Sequence, residues 1–378
     1  MDSQSLQNIL GAAVQAGEIA GAVAAVTGPA GTLVSAAAGT TVLGAGAKLT
    51  ADTVFWIASM TKPVTSLAAM QMVEAGKLAL DEPLATLLPE LAAPQILADD
   101  LTLRPAQTPI TLRHLLTHTS GFGYPFTSKK LGDFVAAQPA VPALGTRASL
   151  RAPLLFEPGE RWEYGISTDW VGLAVEAASG QSLDAYFADH IFAPLGMTDT
   201  GFLLNDDQVS RLSAVHYRLP DGSLKPAPLK APQRPEIFSG GGGLYSTAND
   251  YLKFLRVFLN HGAPLIAPET CAAMCRNAIG NLFGGNLVTA NPALLGPGMN
   301  DPTLTTKWTL AFRLFTEPGA FGRHAGSLSW AGIANTYFWI DPAVNRAAVI
   351  LMQVLPAGDP ACLRTCFAVE QAIYAAPH

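Results

Sequence analysis

Val54-Phe55-Trp56-Ile57-Ala58-Ser59-Met60-Thr61-Lys62-Pro63-Val64 is an apolar run that turns, at Ser59, into a helical pattern. The turn falls on a Ser-x-x-Lys tetrad, Ser59 to Lys62. Residues three apart on a helix share a face, so the Lys62 amine can stand beside the Ser59 hydroxyl. A serine near its free pKa is a weak nucleophile and needs an adjacent base to take its proton. A lysine amine on its flexible stem loses its charge readily when buried, which makes it a workable base. Pro63 suits the first turn of such a helix, where no backbone N–H is yet needed, and Gly76 can end it. A bare tetrad recurs by chance in long chains, so the rest of the sequence has to agree.

Composition narrows the field. The 378 residues allow one large domain or two ordinary ones. Hydrophobic content of 49% against 14% charged predicts an extensive core. A net charge of −6 without a Lys/Arg cluster argues against a nucleic-acid partner. Ile19 to Leu49 carries a single charge, Lys48, yet Gly28-Pro29, Gly31, Gly39 and Gly44 break it into short strands rather than a membrane span. No basic stretch precedes an apolar one after Met1-Asp2-Ser3-Gln4, so a cytoplasmic protein without a membrane partner is expected. Cys271/Cys275 and Cys362/Cys366 have a spacing that could in principle hold zinc. Their alanine-rich, helix-like surroundings favour buried reduced thiols, and no metal is expected.

Along the chain, a helix is expected from Ser5 to about Gly17, then strands at 21–27, 32–37 and 54–58. From about 80 to 230, Pro83, Pro89, Pro94, Pro105 and Pro109 point to helix and loop instead of continuous sheet. Tyr217-Arg218-Leu219 and Ser223-Leu224-Lys225 around Pro220-Asp221-Gly222 read as a hairpin, and a proline-rich linker follows from Pro226 to Pro235. A helix over 248–260 has Ser246 or Thr247 as its cap, strands follow at 335–340 and 347–354, and a last helix spans 361–374. This order is that of an α/β domain with a helical insertion.

Further blocks accompany the tetrad. They are Ile110-Thr111-Leu112-Arg113-His114-Leu115-Leu116-Thr117-His118-Thr119-Ser120-Gly121-Phe122, then Trp162-Glu163-Tyr164, then Gly240-Gly241-Gly242-Gly243-Leu244-Tyr245-Ser246-Thr247 with Asp250-Tyr251. Last come Trp330-Ala331-Gly332-Ile333 and Phe338-Trp339-Ile340-Asp341-Pro342. With these the chain resembles the penicillin-recognising serine hydrolases, from about residue 7 to 372. Within that group it is similar to class C β-lactamases and to family VIII carboxylesterases and transesterases. The resemblance implies a β-lactamase-like fold of the α+β or α/β class. An antiparallel sheet flanked by helices would come from residues 1–70 and 235–378, with a mostly helical second domain over 71–234 and the active site between them.

The resemblance also implies roles. Ser59 would be the nucleophile, with its own amide and that of Ile333 as the oxyanion donors. Lys62 and Tyr164 would share the acid–base work. An ordinary lysine at pKa ~10.4 is charged at neutral pH, and removing its proton costs ~4 kcal/mol. A phenol costs nearly as much, so a pair sharing one proton is the economical arrangement. Tyr164 would be the immediate base, with Lys62 tuning both groups. Asp169, five residues on, either steadies this cluster or caps the next helix.

Departures from the β-lactamase pattern bear on substrate. Ile166 stands where those enzymes carry an Asn, and Trp330 of Trp330-Ala331-Gly332 replaces the lysine of their K-T-G element. His324-Ala325-Gly326 is the alternative counterpart, but the spacing to Trp339-Ile340-Asp341 favours Trp330. Either way a cation is lost from the site, and Trp330 adds apolar contact area. An uncharged small-molecule ester is therefore expected as substrate, of short to medium acyl chain, with some acyl transfer and no cofactor. The rivals are a β-lactamase, D-aminopeptidase or amide hydrolase on the same scaffold, and a non-catalytic acyl- or peptide-binding protein. Tyr124, after a Gly-Phe-Gly loop, is a candidate for the acyl-pocket wall. His114 and His118 have the i, i+4 spacing of metal ligands but lack a third, so a structural helix with side-chain hydrogen bonds is expected. Ser120 reads as a turn residue. The glycine run at 240–243 lacks a following Gly-Lys-Ser/Thr, so it suits close backbone packing and not phosphate. Nothing in the sequence bears on oligomeric state.

Overall fold

Gly21–Thr27 (β1) is buried along its whole length, as an apolar strand covered on both faces must be. In the computed structural model, which describes residues 2–143, 145–227, 231–301, 303 and 305–375, β1 lies inside an eight-stranded sheet. Its neighbours are Thr32–Val42 (β2) and Ala45–Lys48 (β3) on one side. On the other side follow strands from the C-terminal third: Thr306–Trp308 (β4), Arg313–Phe315 (β5), Leu328–Gly332 (β6), Thr336–Asp341 (β7) and Arg346–Leu351 (β8). The order across the sheet is β4-β5-β6-β7-β8-β1-β2-β3, antiparallel at every step. Val23 of β1 faces Leu351 of β8, so strands from opposite ends of the chain close the middle of the sheet.

Side chains of a strand alternate between faces, and β1 divides accordingly. Ala22, Ala24 and Val26 join Leu6 and Leu10 of the first helix, Ser3–Gln15 (α1), and Cys362, Cys366 and Val369 of the last, Pro360–Ala375 (α6). Val23 and Ala25 join the larger core on the opposite face, with Tyr251, Phe254 and Leu255 of Ala248–Leu259 (α5). That core also takes in Thr61–Glu74 (α2), which is buried on nearly every side, and Ser167–Ser179 (α4) packs against α2. The short helix Leu112–Leu116 (α3) belongs to the same cluster. The expected architecture is formed: a large antiparallel sheet between helical layers.

The expected hairpin forms between His216–Arg218 and Leu224–Pro226, with Tyr217 opposite Lys225. Residues 228–230 of the proline-rich linker lie outside the described residues. Thr247, and not Ser246, caps α5 by accepting the Asp250 N–H at 3.2 Å. Four sheet strands, β3 to β6, have no counterpart among the expected elements, and neither has a small pair, Gln95–Leu97 with Leu103–Pro105. They are short, and β4 and β5 are three residues each, too brief to show a period. No helix among the described residues is long and apolar enough to cross a membrane.

A buried ion pair ties α6 to the hairpin. Asp359 accepts two hydrogen bonds from Arg218, at 2.8 and 2.9 Å, and those of the Ala361 and Cys362 amides, each at 3.1 Å. Burial pushes the Asp359 carboxyl up, but Arg218 and the Cys362 N–H outweigh it and hold its pKa below the ordinary 3.8. A carboxyl lowered on folding stabilises above its unfolded pKa, and the contribution disappears as pH falls through the folded value. Asp359→Asn is therefore expected to cost about 3–5 kcal/mol at pH 7, the loss typical of breaking one side of a buried pair. The deficit should shrink as pH falls below the ordinary carboxyl value of 3.8. Urea denaturation across that pH range reads both.

Candidate active site

Phe55–Trp56 pairs with Tyr245–Ser246, and the Ile57 N–H reaches the Leu244 carbonyl at 3.1 Å. The chain must then swing from strand to helix. Ala58 does this in the left-handed region, at φ +45°, a conformation that costs a residue with a Cβ roughly 1–2 kcal/mol. Such strain beside a reactive residue persists only where the surroundings hold it. Here Thr61 Oγ1 donates to the Ala58 carbonyl at 2.6 Å, and Tyr251 Oη donates to that of Met60 at 2.9 Å. Ala58–Met60 forms one 3₁₀ turn that runs into α2, with Ser59 half-buried at the floor of a cleft.

Lys62 is 2% exposed, and its three donors all have acceptors. Nζ lies 3.2 Å from Ser59 Oγ, 3.3 Å from Tyr124 Oη and 2.7 Å from the Gly241 carbonyl oxygen. Three acceptors match the three N–H groups of an ammonium, whose only capacity is to donate.

Tyr164 is 4% exposed and stands above that ammonium, its ring centroid 4.6 Å from Nζ. Its hydroxyl oxygen accepts from Trp330 Nε1 at 3.1 Å and bonds neither Ser59 nor Lys62. So the expected trio assembles unevenly: hydroxyl and amine meet directly, while the phenol meets the amine through its ring face. Catalytic hydrogen bonds in a site without substrate are commonly long and tighten when it binds. Tyr124 lines the cleft and also accepts from Lys62. Burial, with Asp169 and Tyr164 adding to it, pushes the Tyr124 phenol well above the ordinary range. It therefore stays protonated and acts as a holder of Lys62. Glycines bring the two tyrosines together, for a Cβ on Gly165 would meet the Phe122 carbonyl oxygen and come within 2.6 Å of Gly123 Cα.

Asp169 lies inside the first turn of α4, and Ile166 occupies the cap position, so the helix-cap alternative is set aside. Its Oδ1 accepts from Ser239 Oγ at 2.6 Å and from the Gly241 N–H at 2.9 Å. Gly241 passes the connection on, because its own carbonyl holds Lys62. Only glycine fits there, since a Cβ would sit 2.5 Å from Asp169 Oδ2. Asp169→Asn keeps an acceptor but loses the charge, and turnover should fall about tenfold with little change in melting temperature. Asp169→Ala strands a buried N–H and should cost about 1–3 kcal/mol of stability as well. Steady-state kinetics paired with thermal melts separates the two.

The far wall is β6. Trp330, Ala331, Gly332 and Ile333 all line the cleft. A Cβ on Gly332 would come within 2.5 Å of the Ile57 carbonyl oxygen, so its absence lets the strand end lie against the chain just before Ser59. The cavity is about 1110 Å³, above the ~300–1,000 Å³ usual for small-molecule pockets. Its walls are mainly apolar, with Phe122, Phe126, Leu131, Phe134, Trp170 and Met299 among them.

Residues 6–372 match the Beta-lactamase family. The chain belongs to that family. Relatives of this β-lactamase-family chain include esterases and acyltransferases. A lovastatin esterase of Penicillium rubens is 34% identical over 373 residues, covering 92% of each chain. Esterase EstB of Burkholderia gladioli is 30% identical over 357 residues, covering 88% of this chain and 84% of its own. Among solved structures, unliganded simvastatin synthase of Aspergillus terreus superposes with a TM-score of 0.84 at 30% identity, covering 98% of this chain and 97% of that one.

Other residues of this β-lactamase-family chain sit differently from expectation. His114 and His118 share no helix face: α3 ends at Leu116, and His118 follows at φ +56°. His114 Nδ1 accepts the Thr111 N–H in a capping box. His118 is buried among Trp162, Tyr164 and Trp308, its Nδ1 without a partner. Burial, then the Lys62 charge, pushes it well below the usual imidazole range and keeps it neutral. Nothing in the sequence marks it as a wall behind Tyr164. Ser120 is buried and bonded to Ser167 at 2.8 Å. His324 pairs with Asp341 at 2.8 Å, away from the cleft, which leaves Trp330 as the residue of the two that lines it. All four cysteines are free, and Cys275 is half-buried where full burial was expected. Among the described residues no group of three or more His, Cys, Asp or Glu could hold a metal.

Proposed function

We propose that the protein is a serine ester hydrolase that forms an acyl-enzyme on Ser59 and passes the acyl group to water or to an alcohol. The observation that carries this reading is Lys62 Nζ, 3.2 Å from the Oγ of Ser59, which itself lines a large apolar cavity. Ser59 Oγ attacks the ester carbonyl while its proton passes to the Tyr164 oxygen. The tetrahedral oxyanion is met by the Ser59 and Ile333 amides. As the intermediate collapses, the C–O bond to the alcohol breaks and Tyr164 returns the proton to the leaving oxygen. Water or a second alcohol then repeats the sequence on the acyl-enzyme and restores Ser59. Lys62 stays over the Tyr164 ring throughout, and Asp169 holds the Gly241 peptide that holds Lys62. Residues 1–70 with 235–378 as one domain and 71–234 as the other belong to the same proposal.

The cavity supports a bulkier ester than the short to medium acyl chains expected from sequence, and relatives named for lovastatin and simvastatin point the same way. Four free cysteines suit a reducing, cytoplasmic setting. Steady-state comparison of p-nitrophenyl butyrate, a naphthyl ester of a branched acid and a chromogenic cephalosporin tests the reading. Both esters should exceed the cephalosporin in kcat/KM by at least about a hundredfold, with the bulky one having the lower KM. A cephalosporin preferred over both would make this chain a β-lactamase in activity as well as in family.

A further inference from the structure

Trp330 carries a hydrogen bond that none of the steps above uses. It is 5% exposed on β6, where it stands opposite Phe338 of β7, so its backbone is fixed inside the sheet. Its ring packs edge-on to Trp308, centroids 4.6 Å apart at 85°, and at 60° to Tyr164 at 5.0 Å. We propose that the Trp330 indole N–H is a positioning group for Tyr164, fixing where the phenol oxygen stands and favouring that oxygen when it carries charge. The inference rests on Tyr164 being the base and deepens that reading.

Donor and acceptor chemistry decides the direction of this bond. An indole N–H donates and never accepts, so at 3.1 Å the Tyr164 oxygen must be the acceptor. The phenol's own proton then has to point away from the β6 wall. Lys62 lies over the ring face, so its charge acts on Tyr164 without occupying the oxygen. Of the other indoles nearby, Trp162, stacked on the phenol, has an Nε1 without a partner, and Trp308, packed on Trp330, donates to the Leu116 carbonyl at 3.2 Å. Trp330 alone of the three donates to the phenol oxygen. Both partners are buried, and a hydrogen bond to a charged acceptor in such surroundings is stronger than one shared with water. The reading of Trp330 as apolar wall is thus incomplete, for its nitrogen acts on the base while its ring faces substrate.

Trp330→Phe keeps an aromatic ring and removes the donor. Replacement by 3-benzothienylalanine, which exchanges the indole N–H for sulfur with nearly the same outline, guards against a folding failure of the first variant. With p-nitrophenyl butyrate, both variants should lose about ten- to a hundredfold in kcat at neutral pH, with KM within about threefold. The ascending limb of the kcat/KM profile should move to higher pH by about one unit or more. An unmoved limb in the benzothienyl variant overturns the inference, whatever happens to the rate, since a packing role alters rate without moving a titration. A limb displaced in Trp330→Phe but not in the benzothienyl variant overturns it equally. Tyr164→Phe keeps the two levels apart: if that variant turns over normally, the base assignment itself is lost, and if it is inactive while the Trp330 limb is unmoved, only the present inference falls.

Discussion

Lys62→Met should lower kcat/KM for esters by about a thousandfold while leaving a folded protein, the upper end of the ~10²–10³ attributed to losing one positioned charge-stabilising donor. Methionine fills nearly the same buried volume without charge. Three acceptors lose their donor: Ser59 Oγ, Tyr124 Oη and the Gly241 carbonyl. An orphaned buried carbonyl costs about 1–3 kcal/mol, but no desolvated ammonium then has to be accommodated, and the two effects oppose each other. The net change in stability should stay within about 2 kcal/mol, the scale of one orphaned polar group. Pre-steady-state kinetics should place the defect in acylation, with no burst of p-nitrophenol. A variant that unfolds would mean the Lys62 contacts are structural first; one that retains turnover would remove Lys62 from the chemistry.

Tyr164→Phe is expected to be nearly as severe, about a thousandfold in kcat, with KM little changed. The ring remains to pack against Trp330, Tyr124 and His118, so folding should be preserved. What disappears is the one oxygen that faces both the indole N–H and the cleft. Tyr124→Phe is the informative contrast. That phenol is pushed upward by burial and by Asp169 and Tyr164, so it contributes by holding Lys62 and not by titrating. Its loss should lower the rate only about tenfold and leave the pH profile in place.

Much of this site is legible in the amino-acid sequence. The Ser59–Lys62 spacing, the glycine run that packs on Asp169 and the helix cap beside it all follow from local periodicity or from positions only glycine can fill. Contacts between distant segments are not legible there. Lys62 meets Tyr124 across 62 positions and Gly241 across 179, and Trp330 meets Tyr164 across 166. No local pattern encodes such partners, because register and strand order determine them. The same holds for β6: five residues carry little periodicity, yet their pairing with β7 decides that Trp330 faces Tyr164. His118 departs from expectation for a related reason, since i, i+4 spacing means a shared face only while the helix continues, and here it stops at Leu116. The cavity's breadth comes from segments around 123–142, 145–153 and 231–243, whose side-chain placement depends on tertiary packing.

Peptide mass spectrometry after reaction with a fluorophosphonate is the most direct measurement. One adduct per chain is expected, on the peptide containing Ser59, appearing in step with the loss of esterase activity and absent in Ser59→Ala. Esterase activity that survives with Ser59 unlabelled, or an adduct carried by another residue, would contradict the assignment of Ser59 as nucleophile.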